Sequence, residues 1–123
     1  MASNDQIVKD FNDAWARLNV DELMNYFTED AVYHNIPMRP AVGTASIRKV
    51  ITSLLKGVNA IRFEVHHQIS IGNVVMNERT DYTEMGEKKM SLPVMGVFEF
   101  ENGKIKAWRD YFDMATFSNA LAG

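Results

Sequence analysis

The chain has 123 residues, enough for one domain with a buried core and too few for two. Its net charge of −3 supplies no basic excess to hold phosphates, so we expect no nucleic-acid partner. The absence of cysteine excludes disulfides and thiolate metal sites, and neither a signal-peptide pattern nor an apolar run of roughly 18 residues is present. We therefore expect one soluble cytoplasmic domain over residues 1–123, with no membrane contact.

The first part of the sequence predicts two helices. Ser3 followed by Gln6 is a capping pattern, and apolar residues then recur at helical spacing. Asn19 with Glu22 repeats the capping pattern before a second, shorter helix. We expect this second helix to extend through Phe27.

A short strand and a third helix are predicted next. Residues 31–36 alternate as a strand that ends before Pro37, and Pro40 and Gly43 indicate a loop. Residues 44–56 carry apolar side chains at helical spacing, which predicts an amphipathic helix.

The second half of the sequence predicts a meander of long strands. Apolar residues alternate in one stripe over 61–71, and strands over 74–85, 88–101 and 105–113 follow after glycine-containing turns. A short helix over 114–121 ends the chain. Helices followed by such a meander predict an α+β fold in which helices pack on one face of a curved sheet. The concave side is the expected pocket, and the other face is expected to be covered by a second copy in a homodimer.

Charged residues interrupt two of these strands. Residues two apart share a face of a strand, so Arg79 and Asp81 project together. Alone, such a pair is most often an exposed ion pair that contributes little to stability. Asp110 differs, because it shares a face with Trp108 and Phe112. If those rings are buried, the carboxylate is buried too and needs a partner, for which Arg79 is the candidate.

Two carboxylates around one guanidinium predict an acid and a base in one pocket. Both cannot be fully stabilised as anions, so one tends to hold a proton. Tyr33 and Asn35, which share a face of the first strand, could hold a water molecule against the basic carboxylate. The apolar residues expected to line the rest of the pocket are Leu92, Val94, Trp108 and Phe112. This pattern suits an apolar substrate that is activated by an acid and attacked by water.

Other functions remain open on these residues. A ketosteroid-isomerase-like or polyketide-cyclase-like enzyme also places an acidic residue in an apolar pocket, but it needs neither an arginine between two aspartates nor a Tyr–Asn pair. A non-catalytic ligand-binding domain is a further alternative. The three histidines, His34, His66 and His67, are not expected to converge, so we expect no metal site and no cofactor.

Three segments together resemble the limonene-1,2-epoxide hydrolase family. They are YHNIP at 33–37, ERTD at 78–81 and GVFEFENGKIKAWRDYFD at 96–113, and the similarity extends from Ile7 to Phe117. The resemblance implies an α+β cone, in which a curved, mixed and largely antiparallel sheet wraps around the N-terminal helices and forms a deep pocket. It also implies a homodimer.

The resemblance further implies roles for five residues. Tyr33 and Asn35 would hold the water, and Asp110 would be the general base that deprotonates it. Asp81 would be the acid that protonates the epoxide oxygen, while Arg79 would hydrogen-bond both carboxylates. The implied reaction opens a small apolar epoxide in one step, without a covalent intermediate, a metal or a cofactor.

Overall fold

One six-stranded sheet organises the part of the chain that the computed structural model describes, residues 2–122. The helices are α1 (Asn4–Ala14), α2 (Val20–Met24), α3 (Thr44–Leu55) and α4 (Met114–Ala122), with a 3-10 turn at Trp15–Arg17 after α1. The strands are β1 (Phe27–Asn35), β2 (Ala41–Val42), β3 (Ala60–Ile71), β4 (Val74–Met85), β5 (Lys88–Glu101) and β6 (Lys104–Tyr111). No helix within residues 2–122 combines the length and the apolar character that crossing a bilayer requires.

The sheet has the strand order β2-β1-β6-β5-β4-β3. Strand β1 lies parallel to β6, and every other neighbouring pair is antiparallel. The predicted α+β class, with a mixed and largely antiparallel sheet, is therefore confirmed. Strands β1 and β6 are far apart in the sequence, and their pairing places residues from the N-terminal third beside the last strand.

The two helix starts follow the capping patterns in the sequence. The Ser3 hydroxyl accepts a hydrogen bond from the Gln6 amide at 3.1 Å, and the Asn19 side-chain oxygen accepts one from the Glu22 amide at the same distance. These bonds satisfy backbone N–H groups that the first turn of a helix leaves unpaired. Both predicted helix starts are confirmed.

The end of the second helix was predicted wrongly. Helix α2 stops at Met24, and Phe27 already begins β1, four residues before the predicted strand. Phe27 pairs with Ile105 of β6 and packs edge-on against Phe11 at 5.6 Å between ring centroids. This long-range pairing and burial outweigh the local helical pattern. Pairing with β1 likewise makes β2 a strand within a segment predicted as loop.

A bulge in β3 corrects the predicted apolar stripe. Val65 pairs with Arg79, but His67 pairs with Glu78, so one extra residue stands in β3 between the two pairs. Beyond the bulge the alternation of faces is reversed. Ile69 and Ile71 are consequently 66% and 78% exposed, whereas Gln68 lies opposite Asn77 and its side chain reaches the inner face.

An aromatic cluster fills the space between α1 and the inner face of the sheet. Trp108 is fully buried at its centre, with its ring 5.0 Å from that of Phe11 and 5.4 Å from that of Phe98. Trp15 stacks on Phe63 at 5.2 Å. Such ring–ring contacts stabilise the fold beyond what the burial of apolar area contributes. The cluster shields one side of the neighbouring polar groups from water.

Candidate active site

Three adjacent strands carry the polar groups that the sequence singles out. The side chains of Asn77, Arg79 and Asp81 alternate onto the buried face of β4. Across the sheet Asn77 pairs with Gly96 of β5, which in turn pairs with Asp110 of β6. The structure thus brings Arg79, Asp81 and Asp110 together on the inner face, although 31 residues separate Arg79 from Asp110 along the chain.

The Arg79 guanidinium uses all five of its N–H groups. Nε and Nη2 donate to the two carboxylate oxygens of Asp81 at 3.0 and 2.9 Å. Nη2 also donates to Asp110 Oδ2 at 2.8 Å, and Nη1 donates to Asp110 Oδ1 at 3.2 Å. The last hydrogen of Nη1 goes to the side-chain oxygen of Asn77 at 3.1 Å. Since an arginine offers five donors, none of them is left unpaired in this buried position.

Gly96 makes room for this arrangement, a role that the sequence analysis missed. Neighbouring strands lie about 4.8 Å apart, so the Arg79 side chain must cross β5 to reach Asp110 on β6. A Cβ atom at position 96 would lie 2.5 Å from Arg79 Nη1 and 2.9 Å from Asp110 Oδ1. A glycine within a long strand that is otherwise rich in larger side chains was the available sign of such a close approach.

Trp108 supports the site from behind, which corrects its predicted place in the pocket wall. Its ring is fully buried in the aromatic cluster and does not line the cavity. The indole Nε1–H instead donates to Asp110 Oδ1 at 2.6 Å. Asp110 therefore accepts three hydrogen bonds, one from Trp108 and two from Arg79, whereas Asp81 accepts two from Arg79.

Tyr33 and Asn35 lie beside these groups on β1. In the parallel pairing with β6, Tyr33 is opposite Trp108 and Asn35 is opposite Asp110. The Tyr33 ring stacks on Trp108 at 4.3 Å with an interplanar angle of 10°. Burial, helped by the nearby charge of Asp110, raises the pKa of Tyr33 above its usual range. The phenol therefore stays neutral and keeps a hydrogen to donate.

The charges of the triad are distributed unequally. Burial opposes the charge of Arg79, but Asp110 and Asp81 outweigh it and raise the pKa of this guanidinium above its usual range. Burial is also the largest influence on Asp81, and it raises the pKa of that carboxyl to about 6 despite the opposing charge of Arg79. Near pH 5 the site therefore holds a proton on Asp81 beside a permanently charged guanidinium.

Both carboxylates face a cavity of about 380 Å³, a size typical of small-molecule pockets. Asp81 and Asp110 belong to its wall together with Tyr33 and Asn35, whereas Arg79 lies behind them. The remaining wall is mainly apolar. It includes the predicted residues Leu92, Val94 and Phe112, the methionines Met38, Met85 and Met90, and Phe117 and Leu121 of α4.

The histidines bind separate partners away from the triad. His34 pairs with the Met38 carbonyl oxygen at 2.9 Å, and His67 pairs with Glu78 at 2.9 Å on an exposed part of the sheet. Among residues 2–122, no group of three or more His, Cys, Asp or Glu side chains is arranged to hold a metal ion. The polar side chains of the cavity are the carboxylates of Asp81 and Asp110, the phenol of Tyr33 and the amide of Asn35, with Ser53, Lys56 and Thr83 also in the wall.

This fold and this site define a class of protein: an α+β domain whose curved sheet encloses an apolar cavity with a buried Asp–Arg–Asp triad in its wall. The limonene-1,2-epoxide hydrolase catalytic domain matches residues 2–122. The chain belongs to this family, and the resemblance noted in the sequence is confirmed.

Known proteins support the assignment. The curated "Epoxide hydrolase EphG" of Mycobacterium tuberculosis is 38% identical over 88 residues, which cover 70% of this chain and 57% of that protein. The chain thus matches less than two thirds of that relative's length. A solved LEH-like epoxide hydrolase from M. tuberculosis superposes with a TM-score of 0.84 at 27% identity, covering 97% of this chain and 89% of the other.

The cone shape of the fold is shared more widely than the family. An NTF2-like protein of unknown function from Burkholderia pseudomallei K96243 superposes with a TM-score of 0.87, and the alignment covers 100% of both chains. Its sequence is only 18% identical, so this similarity shows the fold alone. The chemistry has to be argued from the side chains in the cavity.

Proposed function

We propose that this protein hydrolyses apolar epoxides to vicinal diols, by direct attack of a water molecule with general acid and general base catalysis. One observation carries the proposal: two carboxylates face the same cavity and share one guanidinium, yet their surroundings differ. Asp110 accepts three hydrogen bonds that stabilise its anion. Asp81 accepts two, and burial raises its pKa to about 6. Unequal carboxylates in one pocket are the usual basis for paired acid and base catalysis.

The proposed step transfers two protons, forms one carbon–oxygen bond and breaks another. Tyr33 and Asn35 hold a water molecule near Asp110, which takes one of its protons as the oxygen attacks an epoxide carbon. The carbon–oxygen bond of the ring breaks, and Asp81 gives its proton to the leaving oxygen. The product is a diol, and solvent then returns the proton from Asp110 to Asp81. Neither a covalent ester nor a metal takes part.

The cavity wall favours an apolar substrate. Aliphatic and aromatic side chains cover most of it, although Ser53, Lys56 and Thr83 line it as well as the two carboxylates, Tyr33 and Asn35. Met38, Met85 and Met90 are flexible and polarisable, so they can adapt to different ring shapes. We therefore propose compact cyclic or aryl epoxides as substrates, with limonene oxide as one candidate among them.

The test is a single-turnover reaction in water enriched in heavy oxygen. Limonene oxide, cyclohexene oxide and styrene oxide are each mixed with excess protein, and the diols are analysed by chiral chromatography and mass spectrometry. The proposal predicts label in the first diol formed, because the oxygen comes directly from water. An unlabelled first diol would point to an oxygen donated by Asp110. Absence of diol from every epoxide would contradict the proposed activity and favour an isomerase or a cyclase.

We also propose that the protein forms a homodimer through the outer face of its sheet. Ile69, Met95 and Tyr111 alternate away from the cavity, and they remain 66%, 42% and 45% exposed. An apolar surface of this kind is often covered by a second copy of the chain. Sedimentation equilibrium should give twice the chain mass, and Met95→Glu should shift it towards the monomer. A monomer in both proteins would contradict the proposal.

A further inference from the structure

A buried amide, that of Asn77, completes the hydrogen bonding of Arg79. Its side chain is fully buried, and its oxygen accepts the Nη1–H that Asp110 leaves free. Its nitrogen donates to Asn12 Oδ1 at 2.9 Å and to Gln68 Oε1 at 3.1 Å. With the nitrogen engaged on one side, only the oxygen can face the guanidinium. The amide cannot turn over without placing an N–H group against a cation.

The hydrogen bonds continue from Asn77 to the first turn of α1. The Gln68 nitrogen donates to the backbone oxygen of Asp5 at 3.0 Å and to its carboxylate at 2.8 Å. Gln68 reaches the inner face only because the bulge in β3 reverses the alternation of that strand. Three elements, α1, β3 and β4, therefore meet in one chain of amide contacts that ends at Arg79.

The guanidinium is confined on its other sides as well. The backbone of Gly96 lies next to it, so close that an added Cβ would lie 2.5 Å from Nη1. Phe63 lies over the guanidinium with 4.8 Å between the ring centroid and Cζ. The plane of Arg79 is thus held by Phe63, and rotation within the plane is opposed by Asn77 and the two carboxylates.

We propose that Asn77 is a positioning residue that keeps the Arg79 guanidinium in contact with both carboxylates, and that α1 holds Asn77 in place through Asn12 and Gln68. The consequence for turnover rests on the proposed epoxide hydrolysis. Asn77 does not line the cavity, so it acts through Arg79 and not on the substrate. Without the Asn77 oxygen, one Nη1–H of Arg79 loses its acceptor and the guanidinium rotates. Its contacts with Asp81 and Asp110, which leave one proton shared between these carboxylates, are then weakened.

Two variants of Asn77 test this role. In Asn77→Leu the acceptor is lost, and kcat should fall about 10- to 100-fold, the size expected for a hydrogen bond to a charged group, while KM changes little. In Asn77→Asp an acceptor remains, but a third carboxylate faces the same guanidinium. The added negative charge disfavours ionisation of Asp81, so the alkaline limb of the pH–rate profile should move to higher pH. Glu78→Gln, on the exposed face of the same strand, is the matched control and should change neither quantity.

A readout that needs no turnover separates this proposal from the proposed function. The side-chain carboxyl resonance of Asp81 is followed by carbon-13 NMR through a pH titration of the wild type and Asn77→Leu. Since the charge of Arg79 lowers the pKa of Asp81, an upward shift of the midpoint in Asn77→Leu, which adds no charge, supports the positioning role even where the wild type yields no diol. An unchanged midpoint overturns it, and so does an unchanged kcat and pH profile in an active enzyme. Asn77→Ala, which also removes the acceptor without adding a charge, serves if Asn77→Leu does not fold.

Discussion

Two arginine–carboxylate contacts involve neighbouring residues of β6, Arg109 and Asp110, and they differ most in their exposure to water. Arg109 donates to Glu99 at 2.6 Å, which is shorter than any bond that Arg79 makes to Asp81 or Asp110. Yet the Arg109 and Glu99 side chains are 31% and 30% exposed, whereas that of Arg79 is 0% exposed. Strand alternation alone puts Arg109 and Asp110 on opposite faces.

The difference shows that surroundings, and not distance, decide what an ion pair does. Water and ions screen the outer pair, so its expected contribution is about 0 to 1 kcal/mol. The inner charges have lost their water, and attraction within the triad only offsets that cost. Stability alone therefore does not explain their arrangement, in which burial raises the pKa of Asp81 beside the shared guanidinium.

The largest expected effect is on turnover. Asp110→Asn keeps the shape of the side chain but removes the proposed base, and kcat should fall by about 10⁴-fold, the upper range for general base catalysis. Glu99→Gln removes a carboxylate of the outer pair and should leave kcat within about twofold. Steady-state diol formation measures both, with circular dichroism to verify the fold. A variant Asp110→Asn with most of its activity would show that the base is another group.

Next in size is the effect of removing each arginine on the free energy of unfolding. Arg79→Met leaves two buried carboxylates without their counter-charge and should cost about 3 to 5 kcal/mol at pH 7. Arg109→Met, of similar volume, should cost less than about 1 kcal/mol. Urea denaturation followed by tryptophan fluorescence measures both values. Equal losses would contradict the contrast between the faces.

The third comparison concerns space on β5. In Gly96→Ala the added Cβ would lie 2.5 Å from Arg79 Nη1, so the guanidinium has to move. We expect a loss of about 1 to 3 kcal/mol in stability, as for other overpacked cores, and a fall in kcat of more than about tenfold. Met95→Ala, one residue earlier and on the outer face, should change kcat by less than about twofold. A kcat equal to that of the wild type in Gly96→Ala would contradict the prediction, because the guanidinium would then tolerate the added methyl group.

The smallest expected effect is a pH dependence of stability. The pKa of Asp81 is raised from 3.8 to about 6 in the folded protein, so between these values the folded state binds more protons than the unfolded state. The contribution of Asp81 to the free energy of unfolding is therefore fully present below about pH 4 and is lost as the pH rises through 6. Within this window the loss is on the order of 1 kcal/mol per pH unit. The wild type should lose stability relative to Asp81→Asn over this range. Parallel curves from urea denaturation at pH 4 to 7 would contradict the assignment.

Local patterns account for the parts of the fold that could be predicted. The caps at Ser3 and Asn19 and the bounds of β4 and β5 depend on neighbouring residues and glycine turns, and all are confirmed. The early start of β1 depends on pairing with β6, far along the chain, and the bulge in β3 depends on its register with β4. No pattern within the segment itself could reveal them.

The site divides in the same way. Alternation placed Arg79 with Asp81, and the aromatic neighbours of Asp110 indicated a buried carboxylate. The role of Gln68 was not predictable, because it depends on the bulge in β3, and the only sign of the role of Gly96 was a glycine within a long strand. Trp108 was expected in the pocket wall, but its apolar ring gave no indication that its N–H would serve Asp110.

The central claim is that burial leaves one proton on Asp81, which accepts two hydrogen bonds whereas Asp110 accepts three. The most direct test follows the Asp81 side-chain carboxyl by carbon-13 NMR between pH 3 and 9, with Asp81→Asn used to assign the resonance. The account predicts a midpoint near pH 6. A midpoint near 4, the ordinary value of an aspartate, would contradict it, because the site would then hold no acid at the pH where water is to be activated.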